Sequence, residues 1–188
     1  VMARQPRVMF GPATVPLPAG GFLQAVEAAE AAMAQQAVAA IDGVKKVADL
    51  FCGTGTFTFP LATKAAVLAA DASASGIAAL KAGIGSVKGM RQITAEARDL
   101  FRRPLTPHDL KGCEAVVFDP PRAGALEQCR QIADARGVAI AVGISCNPTT
   151  FARDARVLID AGFVLDQVTP VDQFLWSSHV ELVGVFRR

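Results

Sequence analysis

Short apolar runs, bounded by polar or glycine-containing turns, recur along this chain and alternate with longer stretches of helical spacing. Residues 47–51, 66–70, 115–118 and 138–144 are dense in Val, Ile, Leu, Ala and Phe, and their brevity predicts buried strands. Residues 92–95 predict a weaker strand. Residues 73–84, 125–135 and 149–161 predict helices, and residues 57–63 predict the start of another. Residues 22–40 are alanine-dense with Glu27, Glu30, Gln35 and Gln36 interspersed, a composition that favours a helix. The first twenty residues, rich in Pro and Gly, read as an irregular lead-in with room for one short strand. Two strands close the chain, at residues 164–169 and 180–186, with no obvious helix between them.

This alternation implies an α/β fold: a mostly parallel, seven-stranded sheet with helices on both faces. The two closing strands add an antiparallel hairpin at one edge. Residues 21–188 read as one domain, and residues 1–20 as an approach to it that is compatible with the end of an upstream domain. No internal repeat or linker interrupts the pattern.

The 188 residues are 52% hydrophobic and 19% charged, which excludes a disordered chain. No apolar run reaches the roughly 18 residues that a bilayer crossing needs, and no signal-peptide segment follows Arg4 and Arg7. Cys52, Cys113, Cys129 and Cys146 form no C-x-x-C pair, so neither a metal site nor a disulfide framework is expected, and a reducing cytoplasm is the expected setting. With a net charge of +2 the chain does not announce a nucleic-acid partner by charge alone. Its small basic clusters, Arg98 with Arg102 and Arg103, and Arg187 with Arg188, read first as solvated surface.

Chemistry concentrates at the predicted strand ends. Asp49-Leu50-Phe51-Cys52-Gly53-Thr54-Gly55-Thr56 leaves a strand and opens a helix, where glycine permits positive φ and close approach of a ligand. It has neither the third glycine of the dinucleotide fingerprint nor the Gly-Lys-Ser/Thr of a triphosphate loop. Alone, such a turn is equally well a structural device. With Asp49 before it and Asp71 ending the next strand, where a carboxylate meets ribose hydroxyls, it reads as an adenosyl site. Asp99, beyond the third strand, is placed to face an adenine edge.

Asp119-Pro120-Pro121-Arg122 ends another strand, and Ile144-Ser145-Cys146-Asn147-Pro148 another. A thiol there stands at the mouth of the sheet, where open α/β sheets bind ligands. Taken without context, a free cysteine is a small buried hydrophobe, and Glu181 in His179-Val180-Glu181 is an ordinary charge on a strand.

The segments DLFCGTGTF, FDPPRAG, ISCNPTTFARD and DQF…HVELV, in that order, resemble the bacterial RNA (uracil-5-)-methyltransferases, from about Phe22 to the last residue. The resemblance implies a Rossmann-like class I methyltransferase domain acting with S-adenosyl-L-methionine on carbon 5 of a uridine in tRNA or rRNA. It implies Cys146 as nucleophile and Glu181 as the base that removes the carbon 5 proton. It places Gln24, Phe51, Gly53, Thr56, Asp71 and Asp119 at the cofactor, with Asp99 a looser candidate. A free thiol is only a few per cent ionised at neutral pH, so activation of Cys146 by the following helix N-terminus is expected. Arg122 either pairs with a carboxylate or touches RNA.

The chain departs from the family pattern at Val26, where asparagine is usual, at Asp71, often glutamate, and at Phe174-Leu175-Trp176-Ser177-Ser178, where Phe-Pro-x-Thr is usual. Family members also carry RNA-binding domains before the catalytic one, so the chain reads as the catalytic part only. Two other readings stay open: a methyltransferase acting on an exocyclic amine, which needs no cysteine, and a non-catalytic module that binds cofactor or RNA.

Overall fold

The computed structural model describes residues 5–174, 176–177 and 179–188. Where the sequence suggested an irregular stretch with one short strand, the N-terminal residues form an ordered hairpin. Strands β1 (Arg7–Phe10) and β2 (Ala13–Pro16) pair antiparallel around Gly11, which takes φ +53°. Phe10, Ala13 and Val15 are buried, so the hairpin belongs to the core of the domain and is no lead-in to it.

The elements then follow as α1 (Glu27–Ala40), β3 (Lys46–Leu50), α2 (Thr58–Ala62), β4 (Ala66–Asp71), α3 (Ala74–Ile84) and β5 (Ile93–Ala97). After them come β6 (Ala115–Phe118), α4 (Leu126–Asp134), β7 (Ile140–Ser145), α5 (Pro148–Asp160), β8 (Val164–Val171) and β9 (Glu181–Arg187). Helix α1 starts later than its composition suggests, because residues 22–26 form a loop outside regular secondary structure.

The seven-stranded sheet has the order β5-β4-β3-β6-β7-β9-β8. The first five strands in that order are parallel, and β9 is antiparallel to both its neighbours. The closing hairpin therefore folds back, so that the last strand lies inside the sheet and β8 forms the edge. One face of the sheet is covered by α1, α2, α3 and the β1–β2 hairpin, packed through Phe10, Val15, Met33, Phe59 and Leu80. The other carries α4 and α5, packed through Cys129, Ile132, Leu158 and Phe163. Gly83 in α3 lets the hairpin dock, since a Cβ there would lie 2.7 Å from a Val15 methyl.

The basic clusters are largely spent within the fold. Arg98 pairs with Asp109 at 3.0 Å and donates to the carbonyls of Arg103 and Pro104. Arg188 lies 4.2 Å over the Phe163 ring and donates to the carbonyls of Ala133, Ala135 and Val138. Among the described residues no helix is long and apolar enough to cross a membrane.

Candidate active site

Strand register brings the chemistry together. In the parallel block Leu50 pairs with both Ala70 and Phe118, and Phe118 with Gly143, so the carboxyl ends of β3, β4, β6 and β7 align. Phe51, Asp71, Asp119 and Cys146 lie at or just past those ends. Strand β9 runs the other way, with Leu182 opposite Ser145. One step beyond that pair, Glu181 begins its strand beside the segment that carries Cys146. A cavity of about 580 Å³ opens at this sheet edge, lined among others by Gln24, Phe51, Asp71, Asp119, Cys146 and Glu181. Gly53 and Thr56 line it as well. Of the residues singled out from the sequence as site residues, only Asp99 does not.

The glycine turn is built around Asp71. Its carboxylate accepts from the backbone N–H of Gly53 at 3.0 Å and of Ser73 at 2.7 Å, which ties the β3 and β4 loops together. Phe51 adopts φ +60°, a strained conformation for a bulky residue and a frequent mark of functional loops. Its ring packs against Phe101 with centroids 5.5 Å apart. Gly55, at φ +106°, passes so close to Phe59 that a Cβ would fall 2.6 Å from the ring. Asp99 supports the Phe101 wall from behind, for its Oδ1 accepts from the N–H groups of Phe101 and Arg102 at 3.0 and 3.2 Å. Its carboxylate thus holds a turn, where the sequence suggested an adenine contact.

Cys146 is half-buried, whereas Cys52, Cys113 and Cys129 are buried among core residues; all four thiols are free. Cys146 directly precedes Asn147, the N-cap of α5, whose Oδ1 accepts from Thr149 N–H at 3.1 Å. The surroundings of the thiol work against the expected activation. Burial pushes the thiol pKa up, the charges of Glu181 and Asp119 push it the same way, and Arg122 opposes them. Burial is the largest of these effects, and the two neighbouring carboxylates add to it.

Those carboxylates are themselves perturbed. Asp119 is raised to about 8, first by burial and then by Glu181 and Asp49. Glu181, only 5% exposed, is raised by burial and drawn back by a hydrogen bond from Gln173. Asp49 is fully buried and raised to about 7, chiefly by burial; Thr58 Oγ1 donates to its Oδ2, and its Oδ1 has no partner among the described residues. Titratable groups pushed together in a cleft mark a functional site.

Two amide side chains knit the acids together. Gln24 Nε2 donates to Asp119 Oδ2 at 3.2 Å, and Gln173 Nε2 donates both to Gln24 Oε1 at 2.9 Å and to Glu181 Oε1 at 3.1 Å. The sequence reading missed Gln173. Its only signal was its place inside the DQF segment, since its partners lie 149 and 8 residues away. His179 is exposed and sits edge-on to Phe174. Arg122 is exposed at the cavity rim and makes no salt bridge among the described residues.

A family profile for tRNA (uracil-5-)-methyltransferase matches residues 16–188. The chain belongs to that family. An uncharacterized RNA methyltransferase of Caulobacter vibrioides is 62% identical over 99% of this chain and 45% of its own length. The 23S rRNA (uracil(1939)-C(5))-methyltransferase RlmD of Salmonella typhi is 33% identical over 89% of this chain and 39% of its own. The chain thus spans less than half of these curated relatives. Among solved structures, the Pyrococcus abyssi tRNA (uracil-54, C5)-methyltransferase with S-adenosyl-L-homocysteine superposes with a TM-score of 0.81. It shares 24% identity, and the match covers 97% of this chain and 44% of that one, a likeness of fold. The Rossmann-like architecture expected from the sequence is the one found.

Proposed function

We propose that this domain methylates carbon 5 of a uridine in tRNA or rRNA, taking the methyl group from S-adenosyl-L-methionine through a transient bond between Cys146 and the base. The observation that carries this reading is the meeting of Cys146 and Glu181 in one cavity, at the adjoining ends of β7 and β9.

The cavity suits the cofactor. Its volume of about 580 Å³ is in the range of small-molecule sites. A Cβ on Gly53 would meet nothing, so backbone there is open to close approach. Asp71 offers remaining lone pairs to ribose hydroxyls, the Phe51 and Phe101 rings offer an apolar wall, and the hydrogen-bonded pair Gln24 and Asp119 adds a polar one. A cluster of carboxylates favours a cationic ligand, and a sulfonium is one. When bound, the cofactor supplies an electrophilic methyl group.

Carbon 5 of uracil is a poor nucleophile towards such a methyl. The Cys146 thiol loses its proton to solvent, and its sulfur adds to carbon 6, breaking the 5,6 double bond. The electron pair passes into an enolate, so carbon 5 attacks the methyl group and the carbon–sulfonium bond breaks. Glu181 then takes the proton from carbon 5. The pair left behind reforms the double bond and expels the Cys146 thiolate. A base with a raised pKa suits this last step. The target base has to leave its stack to reach the cavity.

The test is the nucleoside made. Unmodified transcripts of 23S rRNA and tRNA, incubated with the protein and methyl-labelled cofactor, yield 5-methyluridine on this reading. Label on an exocyclic amine would favour the amine reading, and cofactor binding without transfer would favour a non-catalytic module.

A further inference from the structure

Gln173, the middle residue of the DQF segment, has had no role assigned so far, yet among the described residues it is the one side chain bonded to both the base and the cofactor wall. It lies between β8 and β9, 7% exposed. Its Nε2 spends one hydrogen on Glu181 Oε1 and the other on Gln24 Oε1, and Gln24 in turn donates to Asp119. The amide orientation is set by these partners, because both are oxygens that need a donor. Its own Oε1 is buried without a partner among the described residues. A position filled for packing alone would favour an apolar side chain of the same length, such as methionine, which leaves no orphaned oxygen. Keeping an amide there costs stability and gains two directed N–H bonds.

We propose that Gln173 is a positioning residue that fixes the Glu181 carboxylate and the Gln24 amide to one another, so that proton acceptor and cofactor wall keep one geometry. The inference rests on the uridine methylation proposed above. Glu181 is the first residue of β9, and its carboxylate has no other hydrogen-bond partner among the described residues. The groups facing it are Asp119 from the loop after β6 and Cys146 from the loop after β7, with Arg122 nearer the thiol. Without Gln173 the carboxylate is free to turn and loses the bond that favours its ionised form.

The experiment compares wild type, Gln173→Met and Gln173→Glu on unmodified 23S rRNA and tRNA transcripts, with 5-fluorouridine transcripts as a covalent trap. Gln173→Met is expected to form the trapped adduct at a rate within about threefold of wild type. Its turnover on ordinary transcripts should fall about tenfold, with the Cys146–RNA complex accumulating. The acid limb of its kcat profile should move to higher pH, since Glu181 protonates more readily, and Gln173→Glu should move it further. S-adenosylhomocysteine should bind a few-fold more weakly as Gln24 loses its anchor. Gln173→Glu also serves as the second variant if methionine impairs folding. Wild type that traps RNA while both variants keep its turnover, pH limb and cofactor affinity overturns the role of Gln173 alone. Wild type that traps no RNA sinks uridine methylation through Cys146, and this inference with it.

Discussion

The side-chain amide of Asn147 donates to the backbone carbonyl of Arg122 at 3.0 Å, while its oxygen caps α5. One residue therefore ties the loop that bears Cys146 to the loop that bears Asp119. Thr150 Oγ1 adds a second bond to the same carbonyl at 3.2 Å, and Arg153 reaches the carbonyl of Ala123 at 2.9 Å. Buried Asp154 accepts from Ala125 N–H at the start of α4. The first turns of α5 thus act as a clamp on the Asp-Pro-Pro loop.

Cap and clamp can be separated at Asn147. Asn147→Ser keeps a capping oxygen but is too short to reach Arg122, whereas Asn147→Ala loses both. Thermal unfolding should show Asn147→Ala less stable by about 1–2 kcal/mol and Asn147→Ser close to wild type. Both should slow adduct formation about tenfold. Equal adduct rates in Asn147→Ser and wild type would show that the clamp does not matter for the site.

The thiol gives a test that needs no RNA. Burial holds the Cys146 pKa up, and Glu181 is the larger of the two charges that add to it. Glu181→Gln removes that charge and keeps the shape, so a larger fraction of Cys146 is thiolate at a given pH. Iodoacetamide at pH 8 should alkylate Cys146 severalfold faster in the variant, read by peptide mass. The other three cysteines are buried and should stay unlabelled. An unchanged or slower rate would mean that Glu181 does not act on the thiol.

Asp49 sets a dependence of stability on pH. Its folded pKa, about 7, lies above the ordinary aspartate value of 3.8, so the native state binds more protons between those values. Stability therefore falls as pH rises from about 4 to 7 and levels off above. The advantage of Asp49→Asn over wild type should grow by roughly 2–3 kcal/mol between pH 5 and pH 8 in denaturant unfolding. A constant difference at both pH values would contradict a buried, ionising Asp49.

The N-cap of helix α1 is Val26, which has extended dihedrals (φ −133°, ψ 122°), no side-chain cap hydrogen bond and 41% exposure. Val26→Asn supplies an oxygen for the free N–H groups of the first turn. It should raise stability by about 1 kcal/mol in thermal unfolding. No gain would mean that water already satisfies that turn.

The interior strands were legible in the sequence because burial on both faces makes them continuous apolar runs: β3, β4, β6 and β7 fall within about two residues of their expected limits. The N-terminal hairpin was not. Its strands are four residues each and sit among prolines and glycines, and what orders them is docking onto α3 through Gly83, a contact about 70 residues away. The start of α1 was misplaced for a similar reason. Residues 22–26 stay outside the helix where Gln24 reaches Asp119, 95 residues on, and local propensity holds no trace of that bond. Strand-end acids and the Cys146 motif were visible as residue types in place. Gln173 was invisible because its importance lies only in what it touches.

The most direct measurement is the mass of Cys146 itself. Protein incubated with 5-fluorouridine-containing 23S rRNA or tRNA transcripts and S-adenosyl-L-methionine, then digested, should yield the Cys146 peptide bearing a methylated fluoropyrimidine nucleotide. Fluorine on carbon 5 cannot be removed by Glu181 as a proton is, so the bond to sulfur persists. Cys146→Ala should give neither adduct nor 5-methyluridine. An unmodified Cys146 peptide from protein that forms 5-methyluridine on ordinary transcripts, or transfer preserved in Cys146→Ala, would contradict the account.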